Sequence, residues 1–489
     1  MRANTVARWL ARLVIAGAFI ATQVCLLFGT ATAAAKELPE FFTLGRLIFG
    51  EQISAPASSS APAWTFDARA GSQVEISTTG LSKLRLRGPK RLGGNWNTIW
   101  NPIVPKAGKV LFKVPRSGRY GIFGTRMFNT QKASVALTCR SASCELPTWP
   151  LGAQSALLRV IAVGDTGLQP HRANDDPYGG FKYEEYHLYT EMVEGIERYL
   201  DHGDLRIANI ETAITQGGKP AKKKFTFRMH PNALDTLVRA GFNGFAMANN
   251  HAGDYGVGGI TDGMTALLRA RRLNPGLGYA GIGANIAVAL RPHIFNVKGL
   301  RVAFSSVGFG FNFDPNGPYM ARLSDLRSAL TQIKAVPADI RIMAIHFGSE
   351  RALKPSVDAQ TLARNVIDAG VDVLVGHHPH VVQGLQRRGR GLILFSVGNF
   401  LLRGARNMSM LGPDMDFGAA VRLGYDVRER RLRTLELIPL YDMHRVVIPL
   451  EPDAARDRIQ RVNRRSAALG AGAVKLEIDG ATGFGVAHF

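Results

Sequence analysis

Residues 371–383 read VDVLVGHHPHVVQ, and the sense of that stretch decides the fold of everything around it. Val371, Val373, Leu374 and Val375 make the short apolar run expected of a strand buried on both faces. The run stops at Gly376, and His377, His378 and His380 follow within four positions. A hydrophobic core has little use for three imidazoles together, whereas a metal does. Residues two apart point oppositely along a strand, but on a glycine-proline turn both can face one pocket. The stretch therefore reads as a strand whose end delivers metal-ligating side chains.

The same pattern recurs upstream. LLRVIAVGDTG (157–167), LRIANIETAIT (205–215), NGFAMANNHAGDYG (243–256) and IRIMAIHFGSE (340–350) are apolar runs that break into polar residues. Between them EYHLYTEMVEGIERYLDHG (185–203), NALDTLVRAGF (232–242), GGITDGMTALLRARR (258–272) and TLARNVIDAG (361–370) have helical spacing. Strands alternating with helices predict an α/β fold with functional groups collected beyond the strand ends. Five strand ends contribute: Asp165; Asn209 and Glu211; Asn250 and His251; His346; His378 and His380. Imidazole, carboxylate and amide oxygen together suit divalent Zn, Mn, Fe or Co. One or two such ions would make this a hydrolytic centre, with an adjacent unbound histidine able to protonate a leaving group. Asn249, Asp254, His377 and Glu350 flank these positions as supporting residues.

Outside this region the signals are of other kinds. The first 35 residues place Arg2, Arg8 and Arg12 before an apolar run and small residues, which is a secretory signal. The apolar stretch 13–35 also has the roughly 20 residues of a bilayer span, so an uncleaved anchor with membrane association is the competing reading. Either way the chain is expected outside the cytoplasm: periplasmic, at the cell surface or membrane-anchored. Residues 36–150 show short alternating runs broken by Gly, Pro, Ser and Asn, the pattern of a small antiparallel β-sandwich of accessory type. Cys139 and Cys144 lie five apart there, and after export they are expected to close a small loop. A linker with Pro147 and Pro150 separates this region from the main domain at 151–450, and a basic helix and tail occupy 451–489. The formal net charge of +22 favours acidic partners, and export makes nucleic acid the weakest of them.

The order of the motifs carries a resemblance. GDTGL (164–168), NIETAIT (209–215), ANNHAGDYGVGGITDG (248–263), GYAGIGAN (278–285), HFGSE (346–350), GHHPHVVQG (376–384) and FSVGNFL (395–401) together resemble the CapA family of poly-γ-glutamate capsule synthesis proteins. That family lies within the calcineurin-like metallophosphatase superfamily. The resemblance implies a four-layer α-β-β-α sandwich. It also implies a metal centre in which Asp165, Asn250, His346, His378 and His380 are ligands, Glu211 stands for the bridging aspartate with Asn209 as the alternative, and His251 is the unbound catalytic histidine. One position departs: the superfamily's first motif is Asp-x-His, and here the third residue is Gly167, which leaves the number of metals at one or two. By the same resemblance KPAKKKFTFR (219–228), with Lys222, Lys223, Lys224 and Arg228, lies near the active face, where it would guide a polyanion; a solvated loop is the equal alternative.

Two functions of different class follow. One is a metal-dependent hydrolase acting on poly-γ-glutamate or a phosphorylated cell-envelope substrate. The other is a non-catalytic protein that binds or anchors an anionic polymer. Serine hydrolase and phosphate-loop motifs are absent from the sequence. GLGYAG (276–281) matches a dinucleotide fingerprint in spacing but follows no strand, and it reads as a turn. RRGRG (387–391) reads as a hairpin turn, and the arginines of the C-terminal helix as a solvated face.

Overall fold

The strand Leu157–Leu168 is buried along its whole length. Leu158, Val160 and Ala162 belong to one apolar cluster and Ile161 and Val163 to another, so a period of two sorts its side chains onto two covered faces. It pairs in parallel with Leu205–Ile210 and antiparallel with Gly418–Asp426. Beyond Gly164 the second partner changes to Asn399–Arg403, in parallel, with Asn399 opposite Asp165. Only glycine permits that change: a Cβ on Gly164 would lie 2.0 Å from the carbonyl oxygen of Gly398. The same carbonyl accepts the Asp165 N–H at 2.9 Å. A change of partners at a strand end opens a crevice there, and Asp165 is the residue set into it.

These observations come from a computed structural model. It describes residues 47–489 except 48, 51, 56–62, 89–96, 104–107, 116–117, 128–132, 142–143, 145–148, 152–155, 169–192, 194–195, 311–315, 404–410, 442 and 445–446. The expected signal or anchor and most of the helical stretch at 185–203 lie outside the described residues, as does most of the linker. No helix among the described residues is long and apolar enough to cross a membrane.

The chain is a mixed α/β protein with several sheets. The larger sheet runs, in spatial order, Gly278–Ala280, Gly244–Ala246, Leu205–Ile210, Leu157–Leu168, Gly418–Asp426, Arg431–Tyr441, Gly485–His488 and Glu477–Ile478. Its first four strands are mutually parallel. A second sheet of six strands has Leu300–Gly308, Ile340–His346, Val373–His377 and Gly391–Leu394 in parallel at its centre. Val160 and Val421 of the first sheet share an apolar cluster with Phe304, Ile342 and Val375 of the second. The alternate residues Ile161, Ile345 and Leu374 pack in another with Leu234 and Leu237 of helix Pro231–Arg239, Leu267 of helix Gly256–Leu273, and Val366 of helix Val357–Asp368. The last helix starts where the sequence provides for it, with the Ser356 hydroxyl accepting from Ala359 N at 3.2 Å.

Residues 52–139 form two four-stranded antiparallel sheets. Trp64, Phe66 and Tyr120 from one meet Val74, Phe112 and Leu137 from the other in a single cluster. Cys139 and Cys144 are joined as a disulfide.

Two expectations are corrected. GLGYAG is not merely a turn: Gly278–Ala280 is the edge strand of the large sheet, paired in parallel with Gly244–Ala246. Glycine content hid it, yet Gly278 is required because the His293 ring packs where its Cβ would be, 2.1 Å away. The arginines of helix Pro452–Ala467 are not all a solvated face either. Arg458 holds Asp416, and Arg461 and Arg465 hold Asp414, at 3.1, 3.0 and 3.1 Å, tying the helix to the segment before Gly418.

Candidate metal centre

Five of the parallel strands carry polar residues at or just beyond one end, and these side chains converge. Asp165 is fully buried and serves as the hub. Its Oδ1 accepts from Asn209 Nδ2 at 2.8 Å and lies 3.1 Å from His377 Nδ1. Its Oδ2 accepts from the His378 backbone N–H at 3.1 Å and lies 3.2 Å from His380 Nδ1. The turn that allows this is unusual: His378 and His380 both have positive φ, 95° and 59°, in the left-handed region that non-glycine residues rarely occupy.

Glu211 lies between two sets of histidines. Its carboxylate oxygens are 3.4 Å from His346 Nε2 and 3.7 Å from His380 Nδ1, and neither has a hydrogen-bond partner although both are buried. Glu211, His378 and His380 form one group of ligand atoms within 4.8 Å of one another, and Asp165, Glu211 and His346 form another. Glu211 is common to both. His378 Nδ1 is likewise buried without a hydrogen-bond partner. Asn250 places its Oδ1 2.9 Å from His346 Nε2. Buried carboxylates and imidazoles left without hydrogen bonds are costly on their own and suited to a divalent cation, so the donor set fits a metal.

The charges are arranged to match. Burial pushes against ionisation of Asp165, but the His377 and His380 imidazoles beside it overcome that and hold the carboxyl well below the usual range. Burial pushes Glu211 well above its ordinary value, and the charge on Asp165 adds to the shift. His380 is opposed by burial, yet Glu211 and Asp165 raise it to about 10. Burial lowers His346 strongly, and burial together with the His380 charge lowers His378 to about 4, so both are neutral donors at physiological pH.

His251 stands beside this group and is held by other partners. Its Nδ1 is 2.7 Å from Asp254 Oδ2, and its ring stacks on Phe227 at 4.0 Å. Burial lowers its proton affinity, against the hydrogen bond and charge of Asp254. Lys223 ion-pairs with Asp254, donates to Asn250 O at 2.8 Å and lies 3.3 Å from His251 Nδ1.

The sequence-predicted residues therefore divide. Asp165, Glu211, Asn250, His346, His378 and His380 converge. Asn209, Asn249 and His377 brace them: Asn249 donates to Asn209 Oδ1 at 3.3 Å and accepts the His251 N–H at 3.1 Å. Glu350 is exposed, though its charge reaches Glu211 and His378. The expected polyanion cluster is split, because Lys223 turns inward to Asp254 and Arg228 lies over the Tyr255 ring at 5.2 Å, while Lys222 and Lys224 are exposed. Sequence reasoning missed Asn399, whose Oδ1 is 2.8 Å from His380 Nδ1, and Phe227. Asn399 was within reach, since FSVGNF is an apolar run ending in glycine and a polar residue, like those that furnished the ligands. Nothing local marks Phe227.

Known proteins resemble this chain over the region that holds the converging residues. Capsule biosynthesis protein CapA of Bacillus anthracis is 27% identical over 291 residues, covering 56% of this chain and 67% of that protein. A probable polyglutamine synthesis accessory protein of Mycobacterium tuberculosis is 28% identical over 286 residues, covering 54% and 73%. PGA biosynthesis protein CapA of Bacillus subtilis is 29% identical over 218 residues, covering 43% and 56%. The model of the bacterial capsule synthesis protein PGA_cap matches residues 159–403, which begin just before Asp165 and close just after Asn399 and so take in every converging side chain. On that match the chain belongs to the PGA_cap family of bacterial capsule synthesis proteins.

Proposed function

We propose that this protein takes part in making or exporting a poly-γ-glutamate-type capsule polymer, outside the cytoplasm, through a metal-dependent hydrolytic site. The observation that carries the reading is Glu211: a fully buried carboxylate, without a hydrogen-bond partner, shared by two groups of ligand atoms. Asp165, His346 and Asn250 would hold an ion on one side and His378 and His380 on the other, one or two Mn, Zn or Fe ions in all. The chemistry such an ion supplies is Lewis-acid polarisation of the scissile group and a lowered pKa for a coordinated water.

The chain's own residues do the rest. The left-handed turn at His378 and His380 fixes both rings before substrate arrives. Asp254 orients His251 through Nδ1, leaving Nε2 as the atom that passes a proton to the leaving group. Phe227 and Lys223 hold that imidazole from its face and edge. Export is supported by the Cys139–Cys144 disulfide, a bond of oxidising compartments. The same reading takes the fold as a four-layer α-β-β-α sandwich of metallophosphatase type, with the expected β-sandwich at 36–150 as an accessory domain.

The test measures metal in the purified, reconstituted protein and in its His378→Ala/His380→Ala variant, and follows poly-γ-glutamate chain length with each. One or two equivalents and shortening by the parent, with neither in the variant, are expected. Equal metal in both removes the assignment. Metal without any change in polymer length, or in release of phosphate from phosphoesters, favours the second reading, polymer binding without catalysis, for which the net charge of +22 speaks.

A further inference from the structure

A second site lies at the other end of the same strands. Asp339 and Asp372 immediately precede strands Ile340–His346 and Val373–His377, whose far ends carry the metal ligands, so the two ends are about 20 Å apart. Here a cleft of about 460 Å³ is lined by Tyr425, Arg387, Arg390, Asp372, Leu432 and Phe489, among others. That is the size of a small-molecule pocket.

Two of its polar groups lack protein partners. Tyr425 is 2% exposed, and its hydroxyl is buried with no hydrogen bond. Arg387 Nη1 is also buried and unbonded, while the guanidinium lies over the Phe489 ring at 4.6 Å. A buried donor without a protein acceptor calls for another partner, and here two such donors border one cleft. Burial, followed by the charge of Asp372, keeps the Tyr425 phenol protonated, so it remains a donor.

The remaining charges limit what fits. Arg430 is paired with Asp339 at 2.9 Å and Arg431 with Glu429 at 2.7 Å. Arg387 and Arg390 are then set against Asp372 and the terminal carboxylate of Phe489, so the wall is close to neutral. That leaves the two unpaired donors to take a single carboxylate, and the Asp372 carboxylate opposes a dianionic phosphate. Phe489 and Leu432 offer an apolar surface for a flat body. We propose that this cleft binds a small-molecule monocarboxylate with a planar apolar body, its oxygens accepting from Arg387 Nη1 and the Tyr425 hydroxyl.

The test uses the full chain and titrates benzoate, with phenyl phosphate as the dianionic comparator, by calorimetry. Saturable 1:1 binding of benzoate is expected, weakened about tenfold in Tyr425→Phe and at least as much in Arg387→Gln. Tyr425→Phe removes only an unbonded hydroxyl, so its Tm should not fall, and loss of binding in it cannot be loss of fold. His378→Ala should bind benzoate as the parent does. Absence of saturable benzoate binding, binding unchanged in both variants, or tighter binding of phenyl phosphate would each overturn the proposal.

Discussion

Replacing Glu211 by Gln should change stability in opposite directions with and without metal. In the metal-free protein both carboxylate oxygens are buried and unbonded, and burial raises the group well above its ordinary pKa. An unsatisfied buried polar group costs about 1–3 kcal/mol, more if charged. Gln keeps the shape, is neutral and brings an amide that can donate, so Glu211→Gln should stabilise the metal-free protein by that amount. For a folding unit of some 300 residues this is a rise of about 2–5 °C in Tm. With metal at a hundred times its Kd the parent gains about 2.7 kcal/mol by mass action. The variant, having lost the carboxylate shared by both ligand groups, should gain little. Thermal melts in chelator and in excess Mn or Zn therefore cross: the variant lies above the parent in chelator and at or below it in metal. A variant that melts lower than the parent in chelator, or that gains as much from metal, would show that Glu211 is a structural residue and that the reasoning from its missing hydrogen bonds is wrong.

Three further outcomes are expected. Gly164→Ala puts a Cβ 2.0 Å from Gly398 O, backbone against backbone, and should cost about 3 kcal/mol or more in urea denaturation while lowering metal affinity, because Asp165 is the next residue; unchanged stability would deny the close approach. Reducing the Cys139–Cys144 bond opens a loop of only five residues' separation, so the loss should be near 2 kcal/mol and confined to unfolding of the N-terminal sheets, as read from Trp64 fluorescence. His293 is lowered to about 4 by burial and then by Arg271, so its neutral form is the one the fold accepts. Its contribution is present above the unfolded value of 6.5 and is lost as pH falls from there toward 4, by at most about 3 kcal/mol. His293→Gln should flatten that part of the stability curve, and an identical slope in the variant would contradict the assignment.

What could be read from the sequence, and what could not, follows from how far each signal reaches. Apolar runs that break into polar residues announce buried strands, and ligand-type residues at their ends are visible one strand at a time. That sufficed to single out Asp165, Glu211, His346 and the GHHPH turn as residues the fold brings together. The edge strand Gly278–Ala280 was lost because its Gly278 answers to a ring, His293, that no local pattern places beside it. The role of Lys223 was misjudged for the same reason: in sequence it is one of three adjacent lysines, and only the fold brings Asp254 against it while leaving Lys222 and Lys224 in solvent. Asn399 is a different case, since its pattern was readable but its meaning depends on the strand switch at Gly164. That switch also explains the economy of the centre. The same glycine contact that lets Leu157–Leu168 exchange one neighbour for another sets Asn399 opposite Asp165 in register, so the step that opens the crevice also delivers the residue that orients His380.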